Sequence, residues 1–387
     1  MRYILFGLIF LCFYLKSLRS QDSIPCSWTF KGYQKLLNII QTDPSTHQNF
    51  NINFLHNRLQ GQYDWGENFS IKLHLRTRMF FGEGVKLVPG FANLLQDGAP
   101  LLHLSKTWLD KNGIVANSMM DRLVAEWQND RWYISLGRQR VNWGMHNLWN
   151  PNDIFNAYNL LDFDYEERPG SDVFRARYYP GISSSIEFAY QPATKLSLST
   201  GAFLMKWNRW QYDFQFLAGH FRNDAVLGAA WAGNLGNAGF KGEFTCFVPG
   251  LFEQSTEKAS VGISIMSDYS WKNGYYGIIS LLYQSNIQSG VLPINSISSS
   301  NLSAKNLFPF TWSLYSGMSK QFADRWMVNA GFIYAPPQKA LIFLPSTGFE
   351  INEAFDVDFT AQFFWGDQSS NFDNVSNAFY LRGRYSF

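Results

Sequence analysis

Between Phe69 and Met79 the side chains alternate without a break. Phe69, Ile71, Leu73, Leu75, Thr77 and Met79 take the odd positions, and Ser70, Lys72, His74, Arg76 and Arg78 the even ones. A strand sends successive side chains to opposite faces, so this segment has one apolar face and one basic face. The run before it repeats the pattern, with Leu55, Leu59 and Tyr63 against His56, Arg58, Gln60 and Gln62, and Trp65, Gly66 and Glu67 supply a turn. The two runs read as a hairpin. Trp210, Tyr212, Phe214 and Phe216 alternate in the same way with Gln211, Asp213 and Gln215, as do Phe355, Val357, Phe359, Ala361, Phe363 and Trp365 with Asp356, Asp358, Thr360 and Gln362.

A chain built of such hairpins is all-β, and composition narrows the class. Aromatic residues make up 18% and charged residues 16%. After the first twenty residues no stretch offers the ~18 uninterrupted apolar residues of a membrane helix, which excludes a helical membrane protein. A secreted β-rich domain and an outer-membrane β-barrel remain, the latter with strands that carry only this weak alternating signal. Residues 1–20, with basic Arg2, an apolar run from Ile4 to Leu15 and Ser20 before Gln21, read as a secretory signal peptide. Residues 21–387 then form a single barrel domain. Cys12 leaves with the leader, and Cys26 and Cys246 do not make a disulfide framework. The residues before Cys26 do not form a lipoprotein cleavage box. A formal net charge of +2 argues against a nucleic-acid partner.

Strands are expected at 28–41, 50–63, 69–82, 117–128, 131–142, 171–179, 183–191, 195–206, 209–221, 224–233, 237–248, 257–269, 274–286, 309–320, 325–335, 340–350, 354–366 and 376–387. That makes a transmembrane antiparallel barrel of about 18 strands, an even number as such barrels require. The first strand contains KLLNII, which could be a short helix, and the Pro180-Gly181 turn is weak; losing both leaves about 16. The last strand sets Phe379, Leu381, Tyr385 and Phe387 against Tyr380, Arg382, Arg384 and Ser386. Its terminal aromatic resembles the C-terminal signal of bacterial outer-membrane barrels, so Phe387 would address the barrel-assembly machinery and the aromatic outer rows would meet outer-membrane lipid. Turns at 128–130, 323–324 and 352–353 fall on the periplasmic side, and the connections 83–116, 143–170, 287–308 and 367–375 fall outside, as in known barrels.

The water-facing charges gather on strands two to six and the last strand. Arg58, Lys72, Arg76, Arg78, Arg122, Arg138, Arg140, Arg175, Arg177, Arg382 and Arg384 would make one basic wall, which concentrates anionic solutes. The same arginines could instead pair with Glu126, Glu187, Asp213, Glu243, Asp356 and Asp358 and merely hold a polar interior together. Arg138 and Arg140 share parity with Trp132, Ile134 and Leu136, which read as lipid-facing, so they reach the lumen only if Gly137 hosts a phase-changing bulge. The third outer loop, 143–170, carries Trp143, Trp149, Phe155, Tyr158, Phe163 and Tyr165, too many aromatics to leave in water. It is expected to fold into the lumen as a constriction bearing Asp153, Asp162, Asp164, Glu166 and Glu167, or else to form a compact cap. Asp162, Asp164 and Glu166 match no calcium-loop spacing, and neither metal nor cofactor is expected.

GRQRVNWG at 137–144, Asn-Pro-x-Asp at 150–153 and Glu-Arg-Pro-Gly-Ser-Asp at 167–172 resemble the signature region of porin-like bacterial outer-membrane barrels. The alginate-export porins have a similar arrangement. The resemblance implies a monomeric barrel of about 18 strands in the outer membrane of a Gram-negative bacterium, with an arginine-lined lumen that passes small anionic solutes. It carries over no substrate-binding residue beyond the Gly-Arg-Gln-Arg positions. Among other functions, an enzyme would need a nucleophile held against a base, and neither His74 nor His146 sits in such a pattern; Gly-x-Ser-x-Gly is absent. An adhesin or envelope-assembly barrel plugged by its loops is the alternative to a channel.

Overall fold

The computed structural model describes residues 26–44, 48–96, 101–157, 160–161, 170–285, 287, 303–336, 339–368 and 371–387. The leader lies outside them. The alternating segments pair as nearest neighbours throughout. In chain order they are β1 (Cys26–Asp43), β2 (Gln48–Trp65), β3 (Phe69–Phe81), β4 (Ser105–Lys111), β5 (Ile114–Gln128), β6 (Trp132–Gln139), β7 (Ser171–Gly181), β8 (Ser184–Gln191) and β9 (Thr200–Arg209). They continue as β10 (Tyr212–Phe221), β11 (Asp224–Leu235), β12 (Ala238–Pro249), β13 (Ser260–Ser270), β14 (Tyr275–Gln284), β15 (Trp312–Phe322), β16 (Trp326–Ala335), β17 (Ala340–Asn352), β18 (Phe355–Gln368) and β19 (Asn371–Ser386). Eighteen of these close an antiparallel barrel.

Closure joins β19 to β1, from Tyr33 opposite Ser386 to Thr42 opposite Asn377. At the end of this seam Gly32 and Phe387 exchange two backbone hydrogen bonds of 2.9 Å. The Phe387 ring lies where a side chain on residue 32 would go, with its Cζ 2.6 Å from the position of a Cβ there. The KLLNII stretch is strand, not helix. Its inward Leu37 and Ile39 and outward Leu36 and Ile40 are all apolar because both faces are covered, one by bilayer and one by protein.

β4 is the element the alternation did not reveal. It lies within the connection expected from 83 to 116 and pairs with the first half of β5, from Ser105 opposite Met119 to Lys111 opposite Ile114. The second half of β5 pairs instead with β6, from Leu123 opposite Arg138 to Gln128 opposite Tyr133. β4 therefore continues the wall beyond the end of β6. A register shift between His74 and Leu75 accommodates an extra residue, Asp121, in β5. Beyond it the inward row of β5 changes from odd positions (115, 117, 119) to even ones (122, 124, 126).

One barrel end has only short turns, such as 129–131, 210–211 and 353–354, and the other bears every long connection. Exposed tryptophans 28, 65, 127, 132, 210 and 326 ring the short-turn end, where headgroups would meet their amphipathic rings. Two long connections turn inward, because burying one large apolar side chain is worth about 1.5–3 kcal/mol. Residues 83–95 form two short helices, Glu83–Leu87 and Phe91–Leu94. Their Val85, Phe91 and Leu95 pack on Leu37, Phe54, Phe80, Val115 and Tyr380 of the inner wall. The other inward connection, after β6, makes the site.

Candidate functional site

The chain from Val141 to Leu161, among its described residues, runs across the lumen and is tied to the far wall strand by strand. Trp143 Nε1 donates to Glu187 of β8 at 2.8 Å, and Gln215 of β10 donates to the Trp143 carbonyl at 2.7 Å. Glu243 of β12 accepts the backbone N–H groups of Met145, His146 and Asn152 at 2.5, 2.7 and 3.1 Å. The Asn152 side chain donates to the Ala229 carbonyl of β11 and accepts from Thr245 of β12, in space left by Gly228. His146 shares a hydrogen bond with Ser280 of β14, Trp149 meets Tyr315 of β15 edge-on, and Gln362 of β18 donates to the Leu161 carbonyl. Trp143, Trp149 and Asn152 are all buried. Of the aromatics expected to pull this loop inward, Trp143, Trp149 and Phe155 do so, together with one carboxylate that holds three backbone donors, while Tyr158, Phe163 and Tyr165 lie outside the described residues.

His146 shows the cost of that packing. Burial pushes its imidazole down to about 4, and the nearby Lys241 acts in the same direction. It stays neutral at pH 7, with Nδ1 accepting the Leu148 N–H at 3.1 Å.

The predicted acidic face of the loop is not what the described residues provide. Asp153 is fully buried within the packed loop, so its charge does not face the water path. Asp162, Asp164, Glu166 and Glu167 lie outside the described residues.

The arginines divide into three groups. The first is spent in the wall. Arg138 is opposite Asp172 in register, and its Nε and Nη2 donate to that carboxylate at 2.7 and 2.9 Å. It also donates to the Leu102 carbonyl, while the Leu102 N–H donates to Asp172. Arg138 pairs in register with Leu123, and Leu123 with the exposed Leu73, so it belongs to the outward row. It is buried because the 101–104 segment covers it. Gly137 does take an unusual backbone (φ 124°), yet the register of β6 does not shift there. Arg138 thus does not line the lumen, and the expectation that it would is corrected by its cover and its ion pair.

The second group is paired inside the lumen. Arg175 and Arg177 share Glu187, Lys72 reaches Glu126 at 2.7 Å, and Arg382 reaches Asp358 at 2.6 Å. Arg78 donates to the Leu95 carbonyl of the inward helix segment, and Arg384 to Ser386. Glu243 and Asp213, expected as arginine partners, serve the loop and Asn208 instead.

The third group is a cluster around a single carboxylate. Arg58 and Arg76 are directly opposite each other on β2 and β3. Arg58 binds Asp121 at 2.8 Å and donates to His74 at 3.0 Å. The β5 bulge sets Arg122 beside Asp121, and Arg58, Arg76 and Arg140 all act electrostatically on Arg122. Arg76 makes no ion pair or hydrogen bond among the described residues. Like charges facing each other across a ladder destabilise it by about 0.2–1 kcal/mol, so this arrangement serves something other than stability. Lys35 adds a cation the alternation missed. It is the register partner of Arg384 and of His56, and His56 is that of Arg78, which gives one basic row across β19, β1, β2 and β3. The ring of Tyr33 lies between Lys35 and Arg384 at 5.1 and 4.7 Å.

At the level of the inward loop, beyond Asp358, the adjoining arc of β14 to β18 faces the lumen with uncharged groups. Tyr276, Ser319, Asn329, Ser346 and Thr360 are successive register partners. They line a cavity of about 450 Å³ under Asn147 and Leu148 of the loop.

No family model matches the chain, and no curated protein does. Solved structures do. The chain superposes on Acinetobacter baumannii OccAB1 with a TM-score of 0.59 at 8% identity, over 93% of this chain and 96% of that one. Pseudomonas aeruginosa OccK7 (OpdD) gives 0.57 at 8% identity, over 94% and 99%. P. aeruginosa OpdK with vanillate gives 0.55 at 11% identity, over 92% and 98%. At these identities the likeness is one of fold, that of the outer-membrane porin barrels. The 18-strand closed barrel is therefore a fold shared nearly end to end with porins of two Gram-negative bacteria.

Proposed function

We propose that the protein is an outer-membrane channel for passive diffusion of small hydrophilic solutes, with a preference for anions. The observation that carries this is the Arg58–Arg76 pair on facing strands, with Arg122 and Arg140 nearby and one carboxylate, Asp121, among them. Cations on a low-dielectric wall focus a field into the lumen and raise the local concentration of anionic solutes. Arginine holds its charge there and binds carboxylate or phosphate through two parallel N–H groups. The OpdK neighbour holds vanillate, an aromatic carboxylate, a solute of the kind such a wall would draw in.

The test is the reversal potential of the purified barrel in planar bilayers under a salt gradient. Anion selectivity that weakens in Arg76→Ala supports the reading; no ion preference in the native protein removes it. The extent of the loop's anchoring favours a second reading, a barrel plugged by residues 143–161. A barrel that conducts only after that segment is deleted would establish the plug.

A further inference from the structure

We propose that the uncharged arc of β14 to β18 is a binding site for the neutral, polyhydroxylated ring of a solute, a saccharide unit seated against Tyr315. This deepens the channel reading and depends on it only for access from water.

Four observations converge. Every described side chain lining the cavity is uncharged, which suits a neutral solute rather than an ion. The row Tyr276, Ser319, Asn329, Ser346 and Thr360 sets hydroxyl, amide and phenol groups side by side across five strands, one interstrand step apart. Hydroxyls and amides both donate and accept, as a polyol requires. Thr360 is only 6% exposed, yet its hydroxyl has no partner among the described residues. A buried hydroxyl left unsatisfied costs about 1–3 kcal/mol, so it is a group awaiting a ligand or water.

The fourth observation is the platform. Gly317 and Gly331 are register partners, and Tyr315 lies over both. Its Oη is 2.5 Å from where a Cβ at 317 would stand and 2.9 Å from one at 331. Only glycine at both positions lets the phenol lie flat on the wall. Its hydroxyl makes no hydrogen bond among the described residues, and Leu344 and Leu148 border the same cavity. A flat aromatic face beside hydroxyl and amide groups suits a ring with an apolar face and a polar edge. The cavity's about 450 Å³ falls within the usual span of small-molecule sites. The arc meets the basic wall at β18 and β19, so a solute with both a sugar ring and an anionic group could touch both.

The experiment is titration calorimetry of the detergent-folded barrel with sucrose, alongside sucrose block of single-channel current. Polyethylene glycol of equal hydrodynamic size serves as the steric control, and heat-modifiable gel mobility checks folding. The expected result is saturable sucrose binding absent for the polymer, with a half-saturating concentration raised about fivefold or more in Thr360→Val and in Tyr315→Leu, the loss of roughly one hydrogen bond or stacking contact. No saturation with the native barrel, binding matched by the polymer, or binding unchanged in folded variants would overturn the proposal. Conductance without sucrose binding would remove the site and leave the channel; sucrose binding without conductance would do the reverse.

Discussion

The basic wall and the uncharged wall are neighbours in one sheet, yet they are built on opposite terms. On β19, β1, β2, β3 and β5 nearly every cation is held by a carboxylate, a carbonyl or a ring, and the apolar positions beyond them are buried under residues 83–95. Where β14 to β18 line the cavity under the loop the side chains are uncharged, the cavity stays open, and a buried hydroxyl stays without a partner among the described residues. Charge in a membrane-spanning wall must be compensated locally, because an ion stripped of water and left unpaired costs several kcal/mol. Neutral polar groups carry no such penalty beyond one hydrogen bond each, so that wall can remain partly empty.

The sharpest way to break this contrast is to remove one group from each side. Arg58→Ala leaves the buried Asp121 without its 2.8 Å partner and should cost about 3–5 kcal/mol. Thr360→Val removes an unsatisfied hydroxyl, so it should cost nothing and raise stability by up to about 1–3 kcal/mol. Equilibrium urea unfolding of the two variants in detergent, followed by tryptophan fluorescence, measures both. Equal costs would mean that the charged wall is no more dependent on its partners than the neutral one.

A smaller effect is expected from pH. The unfolded His146 imidazole takes its proton near 6.5 and the folded one only near 4, so the unfolded state holds more protons between those values. Stability is full above pH 6.5 and declines as pH falls towards 4, by on the order of 2–4 kcal/mol. Unfolding curves across this window should flatten in His146→Gln. A window of equal slope in that variant would assign the loss to other groups.

Next comes Glu243→Gln, which keeps one acceptor oxygen but turns an amide towards a backbone N–H. It should weaken the loop's anchorage by about 1–3 kcal/mol. Current recordings should then show a noisier and larger conductance; an unchanged trace would mean that the loop is held by its aromatics alone. The smallest change belongs to Arg76→Ala, whose cation has no partner to strand. Stability should hold within about 0.5 kcal/mol, while the anion-to-cation permeability ratio falls by about twofold as the wall's field weakens.

The strands were legible wherever one face met lipid and the other water. Where the inner face is covered by protein, alternation fades. Leu37, Ile39, Phe54 and Phe80 are inward and apolar because helix residues lie on them, which is why the first strand read ambiguously. The eighth strand of the sequence reading begins at Thr200 rather than 195, because Leu196–Leu198 form a short 3-10 turn. The inward loop was legible from its tryptophans, but Glu243 as its anchor was not, since the three donors it accepts are backbone N–H groups. Parity set Arg138 on the outward row, where it lies, but not its burial, because the cover over it comes from residue 102, far off in sequence. The neutral row left no trace in sequence. Serine, asparagine and threonine at inward positions are ordinary one by one and form a row only in register.

The handover from β6 to β4 has a mechanical consequence. Elsewhere neighbouring strands share a ladder, interrupted at register shifts such as those at Tyr178/Gly181 and Glu350/Asn352, that spreads lateral load over many backbone bonds. Beyond residue 139, among the described residues, β4 is paired to β5 alone, and on its other side the Arg138, Asp172 and Leu102 contacts stand in for a ladder. Under membrane tension or during thermal breathing, this is where the cylinder is expected to yield first. A stretched barrel would unzip from that joint, not from the seam between its first and last strands, which is laced along ten paired positions.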